Sequence, residues 1–441
     1  MHVLVLGGGS TGEHFVGALR RLDEDVELTL VESRLVGGEC SYYACMPTKT
    51  MLRTVELSSS LDRAPGLKPQ RPEPDGVWSW RDWMTSDWDD SDQLSWLGEQ
   101  RCTLVRGEAR VARPGVVAVD GQELEYDRLV VATGSRPAIP PVEGLDGVEY
   151  WTNREATSTH EVPQSLAVMG GGPVGAELAQ FFVRLGSQVT VIEHGPRLLG
   201  RVHEDAAAVI GDVFREEGID VRTGAAVERA APGIALTLSD GSTVEAERLL
   251  VATGRQPNAE GLGLEQLGVS VGQRGIEVDE ELRAAENVWA IGDVTGVALF
   301  THVGKYQARV AAASVAGRKA RADYRAIPAG IFTDPEVATV GRTGGDGLVS
   351  ARWELDSTPR LATYEKPKRD GFVRVFADPA SRTLVGAVAV GPQACEWLGQ
   401  LTLAVRSETP IEVLLDTIQP YPTFSEAIFF ALRELADALD G

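Results

Sequence analysis

The chain opens with a short apolar run that stops at a cluster of glycines. Val3–Leu6 predicts a buried strand, Gly7–Gly12 a tight turn, and the residues up to about Leu22 a helix. A second apolar run, Leu28–Val31, ends in Glu32. This order is typical of a dinucleotide-binding unit, because glycines let the backbone approach a pyrophosphate and the acid accepts hydrogen bonds from ribose hydroxyls.

The same pattern occurs a second time. Ser165–Met169 leads into Gly170–Gly175, followed by a predicted helix to about Leu185 and a strand that ends in Glu193. An enzyme with two such units usually holds one flavin and one nicotinamide. Glu193 favours NADH over NADPH, because a 2′-phosphate would meet a like charge, although Arg197 could still reach a phosphate. The cofactor contacts expected from the two loops and their acids are Gly7, Gly9, Gly12, Glu32, Gly170, Gly172, Gly175 and Glu193.

Two further strand-to-turn pieces match each other. Leu129–Gly134 and Leu249–Gly254 each predict a buried strand that ends in Ala-Thr-Gly, and Val288–Asp293 is a third strand, closing on an aspartate. A single piece of this kind is ordinarily a buried strand and a turn. Their duplication in step with the glycine loops favours a role in the cofactor sites.

After about Arg321 the pattern changes. Short alternating strands near 373–376 and 384–388, then helices from about Ala394 and Ser425, predict an α+β domain. The expected fold class is therefore α/β, with two Rossmann-like dinucleotide-binding domains and an α+β domain at the C-terminal end.

Charge and composition narrow the classes of partner. The 441 residues carry 42 Lys+Arg and 64 Asp+Glu, a formal net charge of −22. This excess repels nucleic acid and anionic lipid, whereas small anionic ligands can still bind backbone N–H groups. No apolar run reaches the roughly 18 residues of a membrane helix, and the first run is too short for a signal peptide. We therefore expect a cytoplasmic protein with no nucleic-acid or membrane partner.

The four cysteines are too few for a secreted disulfide framework, but two lie close together. Cys40 and Cys45 enclose four residues where a helix is expected to start, with Pro47 in its first turn. The positive end of a helix lowers the pKa of a thiol. A metal site is disfavoured, because no histidine or cysteine cluster accompanies the pair. The choice is between two buried cysteines that never pair and a redox-active disulfide, which the two dinucleotide units favour.

Together these motifs resemble those of the FAD-dependent pyridine nucleotide–disulfide oxidoreductases, the group of dihydrolipoamide dehydrogenase, glutathione reductase and mercuric reductase. The match includes both glycine loops, the Cys-x₄-Cys segment ending in Pro-Thr-Lys, both Ala-Thr-Gly turns, the Gly-Asp at 292–293, and Phe332–Val337. It covers nearly the whole chain. The resemblance implies an FAD-binding domain at 1–148 and 275–322, an NAD(P)-binding domain at 149–274, and a dimerisation domain at 323–441 that forms a homodimer.

The resemblance also implies how electrons travel. NAD(P)H would give hydride to the flavin, which passes electrons to the disulfide. Cys45 would be the charge-transfer thiolate and Cys40 the interchange thiol that faces substrate. Lys49 would lie near the flavin and pair with Glu177.

Further residues are expected around the flavin. Asp293 would bind the ribityl chain, and the helix beginning near His302 would aim its positive end at the flavin pyrimidine, stabilising negative charge there. The remaining expected cofactor contacts are Gly38, Thr133, Gly134 and Gly254.

The sequence departs from the family pattern near its end. Members that handle thiols carry a His-Pro-x-x-x-Glu motif, contributed by the partner subunit, whose histidine is a general base. The corresponding segment here is Tyr421 to Glu426, with Tyr421 in place of the histidine. An imidazole with a pKa near about 6.5 moves protons at neutral pH, and a phenol with a pKa near about 10 mostly does not. Glu426 then has no histidine to orient, which argues against ordinary exchange with lipoamide or glutathione disulfide.

Mercuric reductases resemble this chain in carrying a tyrosine in that region. Their second cysteine pair at the C-terminus is missing here, and only Cys102 and Cys395 lie outside the close pair. Efficient handling of Hg(II) is therefore not expected.

Three hypotheses follow. The first is an NAD(P)H oxidoreductase with a Cys40–Cys45 disulfide and a small-molecule electron acceptor such as a quinone, a metal ion, a small electrophile or an unusual disulfide. The second is dihydrolipoamide dehydrogenase or another disulfide reductase, with Tyr421 or water as the acid. The third is a flavin-binding redox sensor without turnover.

Overall fold

A computed structural model describes residues 1–367 and 370–441. The helices in this part of the chain are α1 Ser10–Leu22, α2 Gly38–Tyr42, α3 Cys45–Leu61, α4 Pro74–Met84, α5 Ser91–Glu99, α6 Asn153–Ser158, α7 Pro173–Leu185, α8 Glu204–Glu216, α9 Thr301–Val315, α10 Pro359–Tyr364, α11 Ala394–Trp397, α12 Gly399–Arg406, α13 Ile411–Leu415 and α14 Ser425–Asp440. The strands are β1 His2–Leu6, β2 Glu27–Glu32, β3 Cys102–Arg106, β4 Ala109–Arg113, β5 Val116–Val119, β6 Gln122–Glu125, β7 Arg128–Val131, β8 Ser135–Pro137, β9 Ser165–Met169, β10 Gln188–Glu193, β11 Asp220–Thr223, β12 Val227–Ala231, β13 Ala235–Leu238, β14 Thr243–Glu245, β15 Arg248–Val251, β16 Arg255–Pro257, β17 Val271–Gly272, β18 Gly275–Ile276, β19 Arg283–Ala285, β20 Val288–Ala290, β21 Pro328–Ile331, β22 Glu336–Gly341, β23 Val349–Glu354, β24 Phe372–Asp378 and β25 Thr383–Gly391.

The first compact unit comprises residues 1–47, 80–138 and 254–323. Its main sheet has the order β19-β20-β7-β1-β2-β3, parallel except for β19. The apolar β1 lies in the interior of this sheet and is buried on both faces, as parallel strands usually are. Its alternate residues face two cores: Val3 and Val5 pack with α1 and α9, and Leu4 and Leu6 pack with β4 and β5.

The second compact unit comprises residues 48–79, 139–253 and 324–441. It holds a parallel sheet, β11-β10-β9-β15, in which α7 follows β9 just as α1 follows β1. It also holds an antiparallel sheet, β21-β22-β25-β24-β23, whose core includes apolar residues of α12, α13 and α14. The α/β class with an α+β C-terminal part, predicted from the sequence, is confirmed.

The cysteine segment differs in one respect from its prediction. Instead of one helix start, two helices follow one another: Cys40 lies inside the short α2, and Cys45 is the first residue of α3. The break comes at Tyr43, whose φ of −137° and ψ of 0° are not helical. Within 1–367 and 370–441, no helix is long and apolar enough to cross a membrane.

Candidate active site

In the first glycine loop, between β1 and α1, the backbone packs closely against neighbouring backbone. A side chain at Gly7 would collide with the carbonyl of Ala132, and one at Gly12 with the carbonyl of Gly7. The Gly9 position is open: a Cβ built there would have Gly38 Cα as its nearest neighbour, at 3.9 Å. Gly38 itself has a φ of +63°, and a side chain there would meet Gly9. The glycines thus hold the loop tight while exposing its backbone at the start of α1, where an anion is favoured.

The second loop, between β9 and α7, repeats this geometry. Gly170 packs against the carbonyl of Ala252, Gly175 packs against the carbonyl of Gly170, and nothing lies within 4 Å of a Cβ built at Gly172. Both loops therefore fit a dinucleotide, because the space that a side chain would fill at Gly9 and Gly172 is left to the ligand.

An acid ends the strand after each loop and holds the loop in place. Glu32 Oε2 accepts a hydrogen bond from the Gly8 N–H at 2.7 Å, and Glu193 Oε2 accepts one from the Gly171 N–H at 2.8 Å. The other oxygen of Glu193 accepts from the Gly195 N–H at 2.7 Å. The two units thus share a loop geometry as well as a sequence pattern.

The strands that follow the two Ala-Thr-Gly turns lie together in the first unit. Strands β8 and β16, which follow Gly134 and Gly254, pair antiparallel. Thr133 Oγ1 donates to the carbonyl of Asn258 at 2.7 Å, and the Asn258 side chain donates to the carbonyl of Thr133 at 2.9 Å.

Asp293 lies beside this junction. Its Oδ2 accepts a hydrogen bond from Ser135 Oγ at 2.6 Å, and Arg255 Nε donates to the same Ser135 oxygen at 2.7 Å. Burial raises the pKa of Asp293, while Ser135 and Arg255 act to lower it. Sequence reasoning missed Ser135 and Arg255, although the duplication was a signal, because each directly follows one of the matched turns.

The two predicted redox cysteines lie together in the first unit. Their side chains are thiols here, and a hydrogen bond with Cys45, burial and the charge of Cys45 all raise the pKa of Cys40. The Thr301 hydroxyl lies 3.4 Å from Cys45 Sγ. A hydrogen bond from Thr301 and the charge of Lys305 lower the pKa of Cys40, by less. Thr301 is the first residue of α9, and sequence reasoning named only its neighbour His302, whose ring stacks on Phe300 with 5.1 Å between centroids.

Lys49 and Glu177 form an ion pair in the second unit. Lys49 Nζ donates to Glu177 Oε2 at 2.7 Å, and the side chains are 34% and 5% exposed. Lys49 lies one turn beyond Cys45 along α3, and Glu177 lies in α7, just after the second glycine loop. A pair 128 residues apart in sequence is thus in direct contact.

The family model for pyridine nucleotide-disulphide oxidoreductases matches residues 1–320, and that of the family's dimerisation domain matches residues 327–431. The chain belongs to this family. Its members are FAD-dependent enzymes that use NAD(P)H.

Relatives and solved structures agree with this assignment. "Dihydrolipoyl dehydrogenase 2" of Haloarcula marismortui is 34% identical, covering 97% of this chain and 94% of that protein. A mercuric reductase of Acidithiobacillus ferrooxidans is also 34% identical, covering 98% and 82%. The crystal structure of LpdA from Mycobacterium tuberculosis has a TM-score of 0.89 at 28% identity and 99% coverage of both chains. The flavoprotein disulfide reductase RclA from Escherichia coli, at 23% identity, shares the fold with a TM-score of 0.86.

Tyr421 and Glu426 are not joined in this oxidoreductase. The Tyr421 side chain is exposed, at 70% of its possible surface. Glu426 Oε2 is buried and has no hydrogen-bond partner among the described residues. A buried carboxylate oxygen without a donor is uncommon, because it forgoes the hydrogen bonds it had in water.

The other two cysteines, Cys102 and Cys395, lie in β3 and α11. Cys102 is buried in β3, and burial raises its pKa to about 12. Cys395 donates its backbone N–H to Glu336 at 2.9 Å, and burial with the nearby Glu336 raises the pKa of its thiol. Within residues 1–367 and 370–441, no group of three or more His, Cys, Asp or Glu side chains could hold a metal ion.

Proposed function

We propose that this oxidoreductase passes electrons from NAD(P)H, with NADH preferred, through FAD to a Cys40–Cys45 disulfide and on to a non-standard acceptor. The acceptor classes are a quinone, a metal ion, a small electrophile or an unusual disulfide. We assign Tyr421 to the position of the family's general base, and the observation that supports the proposal is that its side chain is exposed and makes no bond to Glu426.

We assign the first half of the path to Lys49, Glu177 and Glu193. FAD, when bound, accepts the hydride of NAD(P)H and passes on two electrons. Lys49, held by Glu177, supplies a positive charge where negative charge develops, an arrangement that lowers the barrier for charge transfer. Glu193 supports NADH, since its carboxylate is fixed by two backbone N–H groups where a 2′-phosphate would lie.

The charges around the cysteines support a division of roles. A hydrogen bond with Cys45, burial and the charge of Cys45 raise the pKa of Cys40, which favours its protonated form. Thiol–disulfide exchange needs a thiolate on the attacking sulfur. Cys40 therefore needs a base before it attacks a substrate disulfide, and a phenol is poorly suited to that role at neutral pH.

A lipoyl disulfide is the second candidate acceptor, and the relatives favour it. The Haloarcula protein, dihydrolipoyl dehydrogenase 2, is 34% identical over 97% of this chain. In that case reduction consumes NADH and a proton and yields NAD⁺ and two thiols, and the protons must reach the sulfurs without an imidazole at 421.

An acceptor panel at fixed NADH separates the two candidates. Quinones, metal ions, lipoamide and glutathione disulfide are compared in the FAD-loaded wild type, Cys40→Ser and Tyr421→His, with Cys102→Ser as the matched loss of a cysteine outside the pair. We expect lipoamide and glutathione disulfide to be turned over slowly by the wild type. We expect Tyr421→His to raise that turnover about 10²-fold, the usual contribution of a positioned acid–base group, because an imidazole moves protons at neutral pH and a phenol mostly does not.

The remaining arms decide the acceptor class. Quinone turnover that survives in Cys40→Ser identifies an acceptor reduced without the interchange thiol, whereas loss in Cys40→Ser but not in Cys102→Ser identifies one reduced by the cysteine pair. A wild type that reduces lipoamide as fast as Tyr421→His would refute the non-standard acceptor. If neither NADH nor NADPH bleaches the flavin, the whole path is refuted.

A further inference from the structure

The segment beginning at Phe332 has no role in the electron path described so far. In the structure its backbone is fastened to α7 by two side chains one turn apart. The Phe332 N–H donates to Glu177 Oε1 at 2.9 Å, and the Asp334 N–H donates to Gln180 Oε1 at 2.7 Å. Gln180 returns a hydrogen bond to the carbonyl of Asp334 at 3.0 Å. This part of the segment is therefore fixed relative to Glu177.

Both oxygens of the Glu177 carboxylate are engaged. Oε1 accepts from Phe332 and Oε2 accepts from Lys49 Nζ, at 2.9 and 2.7 Å. The Glu177 side chain is only 5% exposed, and hydrogen bonds to both oxygens offset the cost of burying a carboxylate. The Phe332 backbone thus sets the orientation in which Glu177 meets Lys49.

The Phe332 ring contacts the same lysine from another side. Lys49 Nζ lies 4.8 Å from the ring centroid, within the range of about 6 Å for a cation–π contact. The ring itself packs against the core that contains α7. Lysine is flexible, and two neighbours that are themselves fixed confine its ammonium to a small volume.

We propose that Phe332 is a positioning residue for hydride transfer: its N–H orients Glu177 and its ring holds the Lys49 ammonium. The inference rests on the proposed role of Lys49. A side chain that only filled the core would affect folding and would be indifferent to the presence of a lysine at 49.

The test is a double-mutant cycle in the FAD-loaded protein. The variants are Phe332→Leu, which keeps apolar bulk without a π face, Phe332→Tyr, which keeps the face, Lys49→Met, and the Phe332→Leu/Lys49→Met double variant. The rate constant of flavin reduction by NADH is measured by stopped flow, beside FAD content and Tm. We expect Phe332→Leu to slow reduction about 2- to 30-fold and Phe332→Tyr to stay near wild type. In the Lys49→Met background, Phe332→Leu should have no further effect. An equal slowing in both backgrounds overturns the proposal.

A second measurement is independent of turnover. The acetylation rate of Lys49 is followed by mass spectrometry, with the exposed Lys319 as internal reference. Phe332→Leu should raise the Lys49 rate several-fold relative to Lys319, and Phe332→Tyr should not. An unchanged Lys49 rate in Phe332→Leu refutes the positioning role. If NADH does not reduce the flavin but the Lys49 rate changes as expected, the proposed function fails and the contact stands.

Discussion

At the scale of single residues, Glu13 is a carboxylate whose surroundings change its pKa. It lies in the first turn of α1, and burial raises its pKa from 4.5 to about 7, although Lys305 acts in the opposite direction. The folded protein therefore binds a proton on Glu13 between these two values that the unfolded chain has released. By linkage, the contribution of Glu13 to stability falls as pH rises through this window and stays low above it.

Glu13→Gln should remove this pH dependence. The variant should match the wild type below about pH 4.5 and gain Tm over it above about pH 7, because the amide has no charge to desolvate. Thermal unfolding of the FAD-loaded protein across that range measures the difference. Glu27→Gln, an exposed change at the start of β2, is the control and should give a flat difference. A Glu13→Gln difference that is equally flat would contradict the assignment.

At the scale of elements, we propose that the two strand–loop–helix units hold different cofactors, FAD at the first and NAD(P)H at the second. Each loop brings a glycine carbonyl so close to the next helix that a methyl group has no room at Gly12 or Gly175. The two loops have matching geometry, so the same substitution in each can be compared for its effect on FAD and on NADH binding.

Gly12→Ala and Gly175→Ala should therefore have different effects. We expect Gly12→Ala to be purified with little FAD, and Gly175→Ala to keep its FAD but bind NADH more than about tenfold more weakly, a loss of about 1.4 kcal/mol. Flavin content by absorbance and NADH titration measure the two outcomes. Gly98→Ala in α5, where a Cβ meets nothing within 4 Å, is the control. Equal FAD loss in both loop variants would contradict the separation.

Helices and contacts differ in how well the sequence alone predicts them. The predicted helix ends at Leu22 and Leu185 agree with α1 and α7, because glycine turns and apolar periodicity are local signals. The break between α2 and α3 was not predicted, since it depends on the backbone of Tyr43. The Lys49–Glu177 contact was expected only through the family resemblance. The place of Phe332 between them was not, because a cation–π contact across 283 positions leaves no periodic trace.

At the scale of the whole molecule, the C-terminal part exposes large apolar side chains. Leu403, Val413 and Ile418 all lie within the residues matched by the dimerisation-domain model, and Ile418 is 94% exposed. Burying these side chains between two copies of the chain would remove apolar surface from water. The matched dimerisation domain supports a homodimer, and an interface in a C₂ dimer uses the same patch on both copies.

Ile418→Asp should weaken that dimer. Two-fold symmetry places the new charge in the interface twice, so we expect the dimer dissociation constant to rise more than about tenfold. Analytical ultracentrifugation over a concentration series measures it. Leu67→Asp makes the same exchange at an exposed leucine outside the matched domain and should leave the constant unchanged. An unaltered dimer in Ile418→Asp would exclude this residue from the interface.

The paired hydrogen bonds of Glu193 have a consequence for redesigning coenzyme choice. Exchanging this acid for a basic residue, the obvious route to a phosphate-bearing coenzyme, would also strip the Gly171 and Gly195 N–H groups of their acceptor. The glycine loop would lose one anchor and the turn after β10 another, while a positive charge was added beside them. A variant that prefers NADPH therefore calls for a rebuilt turn, with new acceptors for those two amides, and a single side-chain exchange would not be enough.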